Sequence, residues 1–305
     1  MCGRFCCSHC APDLKTDLTN IGLNVKESTW IDQDQFRPRY NVAPRSFIPV
    51  VRQNDDKSHL VLQTMKWGLI PSFAKTMPDI QPINARDDTL LAGSPMYDRV
   101  KNDKRCIVVA DGFYEWKKLG NGKKVPYYTK RKDGQLMLFA GLYDTAYLKD
   151  HDGPLHSTTI VTTDSSSFFA FLHDRMPVIL ERDQAETWLD PSSSWSTSLV
   201  KLMKPYKGEL DCYQVTDKVG SVSNESSDFI VPVDSLKGTI SNFFGKAPSP
   251  QSSTHQSDTK PPNATKRKVP DKEEQDSLRL ANKKAKSKSA SPLNRTHITS
   301  FFNKK

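Results

Sequence analysis

The residue whose type and position most invite chemistry is Cys2. Initiator methionine is normally removed when the second residue is small, and Met1-Cys2-Gly3-Arg4 would then begin with cysteine. A terminal cysteine carries a primary amine and a thiol on adjacent carbons, with reference pKa values of about 7.7–8.0 and about 8.5. Both can react in turn with one aldehyde: the amine adds and loses water to give an imine, and the thiol then closes a five-membered thiazolidine. Taken alone, Cys2 reads equally as an accident of a cysteine-rich start. Four of the six cysteines, Cys2, Cys6, Cys7 and Cys10, lie in the first ten residues with His9 among them. Structural zinc sites pair two close ligands with a second pair well downstream, whereas the later cysteines, Cys106 and Cys212, stand alone. We therefore expect neither a metal nor a cofactor, and Cys6, Cys7 and Cys10 read as small buried thiols on a strand running into a turn.

Further blocks follow in order: Arg39-Tyr40-Asn41-Val42-Ala43-Pro44, Lys66-Trp67-Gly68-Leu69-Ile70-Pro71, Ile83-Asn84-Ala85-Arg86, Ala110-Asp111-Gly112-Phe113-Tyr114-Glu115-Trp116 and His173-Asp174-Arg175-Met176-Pro177-Val178. With the opening Met1-Cys2-Gly3-Arg4 they resemble the SOS response-associated peptidase (SRAP) domain family, over nearly all of residues 2–235. The resemblance implies an SRAP-like fold and a protein that crosslinks itself to abasic sites in single-stranded DNA.

An abasic site in its ring-opened form exposes an aldehyde at C1′, the electrophile that an aminothiol traps. In this reading Cys2 is the nucleophile, and a nearby group must move protons at the carbinolamine stage. Glu115 is the candidate: it follows a buried strand and an Asp-Gly turn, where a carboxylate is partly desolvated and its pKa raised. The alternative is an ordinary surface glutamate. His173 would shuttle a proton to the leaving 4′-oxygen, because imidazole titrates in the right range; a histidine after a helix also serves as a cap or packing residue. Asn84 would hydrogen-bond the terminal amine or the thiazolidine. The matching blocks make Arg4, Trp67, Arg86 and Arg175 the expected DNA contacts, the arginines on phosphate and Trp67 on a base or in the gap of the missing one. Trp67 reads equally as core, since Gly68, Leu69 and Ile70 follow it. Cleavage of the bond after Met1, by Cys2, Glu115 and His173 themselves or by an aminopeptidase, would be maturation. Two other functions stay open: a thiol peptidase acting on other proteins, and a module that recognises modified bases without bonding to them.

Elements must position these residues. Residues 107–110 form a short apolar run suited to a buried strand, and 157–163 and 175–180 are further strand candidates. Residues 127–131 and 135–142 flank Lys132-Asp133-Gly134, which predicts a hairpin. Helices are expected over 12–23, 87–100 and 165–172, the second weakened by Gly93 and Pro95 and the third delivering the chain to His173. Strands do not alternate regularly with long crossover helices, so the expected class is α+β: a mainly antiparallel or barrel-like β-sheet with peripheral helices.

Residues 1–245 are expected to form this domain and 246–305 a disordered basic tail. Only twelve of those last sixty residues are apolar, too few to offset the entropy of ordering. The tail holds 14 Lys and Arg against 5 Asp and Glu, which accounts for the whole net charge of +9, while residues 1–245 hold 30 of each sign. Lys266-Arg267-Lys268 and Lys283-Lys284-Ala285-Lys286 look like nuclear import signals. Ile298, Phe301 and Phe302, echoed by Ile240, Phe243 and Phe244, resemble a peptide that docks on the replicative sliding clamp (PCNA), although Lys237 and Arg295 stand where glutamine is expected. No apolar run approaches the ~18 residues of a membrane span, and the start lacks the apolar segment of a secretory signal. The expected setting is a monomer in the nucleus, on chromosomes and replication forks, with cysteines reduced.

Overall fold

The computed structural model describes residues 2–236. A strand β1 (Phe5–Cys7), a helix α1 (Ala11–Asn20) and strands β2 (Val25–Ile31) and β3 (Arg39–Val42) precede an antiparallel pair, β4 (Phe47–Gln53) and β5 (Leu60–Trp67). A three-residue strand β6 (Asn84–Arg86) then leads into short helices α2 (Asp87–Ala92) and α3 (Pro95–Asp98). Strand β7 (Arg105–Ala110) lies against β4, and Asp111 alone separates it from β8 (Gly112–Lys118). The chain continues through β9 (Lys124–Arg131), β10 (Met137–Ala146), β11 (Leu155–Asp164), β12 (Arg175–Pro177), β13 (Ile179–Leu180), helices α4 (Arg182–Leu189) and α5 (Thr197–Val200), and β14 (Leu210–Gln214).

Strands β5, β4, β7, β10 and β11 pair antiparallel in that order, and Ser157 and Thr158 of β11 pair in parallel with Lys66 and Trp67 of β5. That last pairing closes a five-stranded barrel, so its strands leave no free edge among themselves. The run Ile107-Val108-Val109-Ala110 is buried throughout, as its composition predicts, and it shares a core with Val50, Val51, Met65, Phe139 and Ile160.

A second sheet has the order β14-β9-β8-β1-β3. Side chains alternate across it with period two. Phe5 and Phe113 join the barrel core, whereas Cys6 and Tyr114 join a smaller cluster with Tyr128, Val219 and Phe229 on the other face. The same alternation puts Glu115, two residues after Phe113, on the face turned toward the barrel. Gly112 at the start of β8 is needed for closeness: a Cβ there would lie 2.5 Å from the Thr129 carbonyl and 2.6 Å from the Tyr128 ring.

The α+β class with a barrel-like sheet is thus found, with local departures. The Lys132-Asp133-Gly134 segment does turn, with Gly134 at φ +75° and Asp133 accepting from the Gln135 N–H at 3.0 Å. The flanking strands do not pair with each other: β9 pairs with β8 and β14, and β10 with β7, β11 and β13. The turn is therefore a crossing between two sheets and not a hairpin. The predicted helix over 87–100 is broken into α2 and α3 at Gly93, φ +87°, followed by Ser94-Pro95. Residues 167–172 form successive turns in place of a helix. Three consecutive serines compete for backbone hydrogen bonds there, and Phe169 is fixed in the core against Phe113 with ring centroids 5.4 Å apart. The expectations for 246–305, including the tail's disorder, the import signals and Ile298, Phe301 and Phe302, lie outside the described residues, as do Ile240, Phe243 and Phe244.

Candidate active site at the amino terminus

Strand β1 is paired on both sides, Phe5 with Phe113 of β8 and with Val42 of β3. The Tyr114 N–H donates to the Arg4 carbonyl at 2.9 Å, which continues the β1–β8 register past Phe5 and carries the chain start alongside Glu115. Cys2 is fully buried. Its carbonyl accepts a 2.8 Å hydrogen bond from the Asn84 side-chain amide. Asn84 is held in turn by the parallel pairing of β6 with β11, Asn84 beside Ile160, and by the Tyr97 hydroxyl, which donates to its carbonyl at 3.3 Å. Its Oδ1 is buried with no hydrogen-bond partner among the described residues.

Burial pushes the Cys2 thiol far above its ordinary value, and the neighbouring Glu115 carboxylate pushes the same way. Cys2 is therefore a thiol, not a thiolate, at neutral pH. Glu115 is 7% exposed. Burial raises its pKa to about 7, against the opposing positive charge of the chain's amino terminus. A carboxyl poised there can both give and take a proton at neutrality.

His173 follows the 167–172 turns, delivered by the Phe169 anchor, and the His173 N–H donates to the Phe169 carbonyl at 3.3 Å. Its Nδ1 accepts from the Arg175 N–H at 3.0 Å and also lies 2.7 Å from the Asp174 carboxylate. These contacts ask for opposite protonation of Nδ1. The Arg175 donor is fixed in β12, whereas Asp174 is 86% exposed and solvated, so we assign Nδ1 as acceptor and the proton to Nε2. The lowered pKa of His173, caused first by burial and then by the amino-terminal charge, agrees with a neutral ring. Glu115 and His173 thus share the amino terminus as an electrostatic neighbour.

Cys2, Asn84, Glu115 and His173 come together; the four expected DNA contacts divide. Arg86, two residues after Asn84, keeps its head largely in solvent, paired with Asp88 at 2.5 Å. Arg4 is buried under the site, donating through Nη1 to Asn41 Oδ1 at 2.7 Å and the Val219 carbonyl at 2.9 Å, with its guanidinium 5.4 Å from the Trp116 ring centroid. Arg175 is buried and ties β12 to Asp87, Asp164 and the Thr162 carbonyl at 2.5, 2.8 and 2.7 Å. Trp67 is fully buried: its indole N–H donates to the Ile83 carbonyl at 3.0 Å, and its ring meets Phe5 edge-on at 4.9 Å. It braces β1, which follows Cys2, against the segment that leads into Asn84, and its position is that of the core reading.

Among the described residues no three His, Cys, Asp or Glu side chains are grouped to hold a metal. Cys6 donates to Asp111 at 3.2 Å and the exposed Cys10 to Asp13 at 2.9 Å. Sequence reading missed Asn41, fully buried, whose amide also reaches the Ser221 and Asn224 carbonyls at 2.9 Å each. Its place inside the Arg39–Pro44 block was the available signal.

Comparison with known proteins places this geometry. Residues 1–222 match the family model for SOS response associated peptidase (SRAP). The chain belongs to the SRAP family. Among SRAP-related proteins, the abasic site processing protein YoaM of Bacillus subtilis is 37% identical over 233 residues, covering 75% of this chain and 97% of that one. The abasic site processing protein HMCES of Gallus gallus is 33% identical over 265 residues, covering 77% and 78%. A crystal structure of a Bacteroides thetaiotaomicron protein superposes with a TM-score of 0.65 at 27% identity, over 76% of this chain and all of that one. The six blocks that carry the SRAP resemblance all fall at least in part within the matched region, and four of them hold Cys2, Asn84, Glu115 and His173.

Proposed function

We propose that this protein senses and shields abasic sites in single-stranded DNA by joining itself to them through Cys2, once Met1 has been removed. The freed amine attacks the C1′ aldehyde, and Glu115 protonates the carbinolamine hydroxyl; water leaves, the nitrogen proton returns to the Glu115 carboxylate, and an imine forms. The Cys2 sulfur then adds to the imine carbon while the thiol proton passes by way of Glu115 to nitrogen, closing the thiazolidine with the net loss of one water. As the deoxyribose ring opens, the C1′ hydroxyl loses a proton to become the aldehyde and the 4′-oxygen gains it; His173, neutral and carrying its proton on Nε2, donates a hydrogen bond to that oxygen and so eases the transfer. Asn84 holds the Cys2 carbonyl, and its open Oδ1 accepts from the amine. The closed ring protects the strand, since an open imine invites β-elimination and breakage.

The observation that carries this reading is a chain start whose Cys2 is fully buried, clamped through its carbonyl by Asn84 and set near the buried Glu115 carboxyl. A thiol peptidase works through a thiolate, and burial here opposes one, so the amine is the first nucleophile. The relatives named as abasic site processing proteins support the substrate. Cleavage after Met1, by the site itself or by an aminopeptidase, is maturation in this scheme. The tail adds nuclear import, loose tethering to DNA and, through Ile298, Phe301 and Phe302, docking on the sliding clamp at replication forks; the protein acts as a monomer. Abasic single-stranded DNA is expected to give a complex that survives boiling in detergent and is lost in Cys2→Ala. A band that persists in Cys2→Ala overturns the proposal, and cleavage of added protein substrates without any adduct favours the peptidase.

A further inference from the structure

Phe171 is a large apolar side chain left about half in solvent, 47% exposed, two residues before His173. Its partners are ordered. Tyr127 meets it edge-on with centroids 5.8 Å apart, and the Lys117 ammonium lies 5.1 Å from its ring centroid. Tyr127 stands opposite Glu115 in the β8–β9 register, and Lys117 follows Glu115 by two, so strand alternation puts all three on one face. The Lys118 charge also reaches His173. An exposed ring, braced by an aromatic and flanked by the Lys117 ammonium, thus adjoins the reacting centre. The flat apolar face suits a π-system and the lysines suit an anion, which together describe a nucleotide.

We propose that Phe171 is a stacking subsite for the base that adjoins the abasic nucleotide, with Lys117 pairing the phosphate between them. The subsite rests on the proposed function of the neighbouring site and deepens it: a base-free nucleotide offers nothing to stack on, so its intact neighbour supplies the binding. The 167–172 turns set the ring, because Phe169 and Leu172 are buried while Phe168 and Phe171 point outward.

The test uses the full-length protein and oligonucleotides carrying a tetrahydrofuran abasic analogue, which has no aldehyde and binds without crosslinking. One oligonucleotide keeps the bases on both sides of the analogue; in the other, both are replaced by further analogues. The wild type is expected to bind the first roughly tenfold more tightly, the scale of one base–aromatic stack. Phe171→Ala should lose that preference and Phe171→Trp keep it, while Lys117→Gln should weaken both DNAs alike. A Phe171→Ala protein that keeps the preference, or weakens on both DNAs equally, overturns the subsite. In that case a wild type that still forms the adduct on aldehydic DNA leaves the site's function standing; a wild type that neither binds the analogues nor forms the adduct overturns both.

Discussion

The Asn84 side chain holds Cys2 by its backbone carbonyl, 2.8 Å away, across 82 positions of sequence. The clamp takes hold of the main chain and not of the sulfur, whose own hydrogen bond runs to the Arg4 carbonyl, and so it fixes where the reactive groups point. Its worth lies in orientation, because a misplaced nucleophile loses much of the advantage of proximity. Asn84→Ala is expected to slow adduct formation about 10–100-fold in single-turnover assays. Asn84→Asp should be no better, since a carboxylate cannot donate to a carbonyl. Wild-type rates in both variants would remove Asn84 from the site.

Glu115 makes the site and the fold depend on pH in different ways. Its acid form and its base form each serve one step, so the adduct rate should peak near the value of about 7, and Glu115→Gln should flatten the profile. For stability, the folded value lies above the ordinary 4.5. The contribution is fully present below pH 4.5 and is lost as pH rises through about 7, because the unfolded chain ionises first. The loss is on the order of 3 kcal/mol. Denaturant titrations between pH 5 and 8 should show this decline in the wild type and not in Glu115→Gln.

Of the three expected arginine contacts, only Arg86 is exposed, so Arg86 and Arg175 should part company. Arg86→Ala should weaken binding to abasic-analogue DNA and lower its salt slope by about one, with little change in melting temperature. Arg175→Ala removes the buried partner of the Asp87 carboxylate, itself partly buried with 16% of its side chain exposed. Breaking such a pair costs about 3–5 kcal/mol, read as a lower denaturation midpoint. Equal salt slopes for Arg86→Ala and wild type would contradict the first half, and an unchanged midpoint in Arg175→Ala the second.

These arginines also show how much was legible beforehand. Residue type and order picked out Cys2, Asn84, Glu115 and His173 as a candidate set, because an aminothiol and a carboxyl after a buried strand are local facts. Burial of Arg4 and Arg175 was not local: it depends on Asn41, Val219, Asp87 and Asp164, brought in from distant segments. The Asp133-Gly134 turn was read correctly as a turn and incorrectly as a hairpin, since pairing is decided by which strands compete for β9 and β10. The serines of 165–167 suit a helix cap, but they equally compete for backbone hydrogen bonds and end regular structure. Helix α4 went unread despite its capping box, in which the Glu181 N–H donates to Gln184 at 3.1 Å.

Trp67 offers a test of how the fold transmits to the site. Its indole N–H reaches the Ile83 carbonyl, next to Asn84, and its ring packs on Phe5 of β1, so one side chain spans both segments that the Asn84–Cys2 clamp joins. Trp67→Phe keeps an aromatic ring in the core and deletes the donor. Stability should fall by about 1–2 kcal/mol, from the lost indole hydrogen bond and the smaller ring, since the Ile83 carbonyl keeps the Ile160 N–H at 3.0 Å. If bracing is its role, adduct formation should slow at saturating DNA while affinity for abasic-analogue DNA stays near wild type. A direct stacking role predicts the reverse, weaker affinity with an unchanged saturated rate. Anisotropy binding and single-turnover gels on the same preparation separate the two.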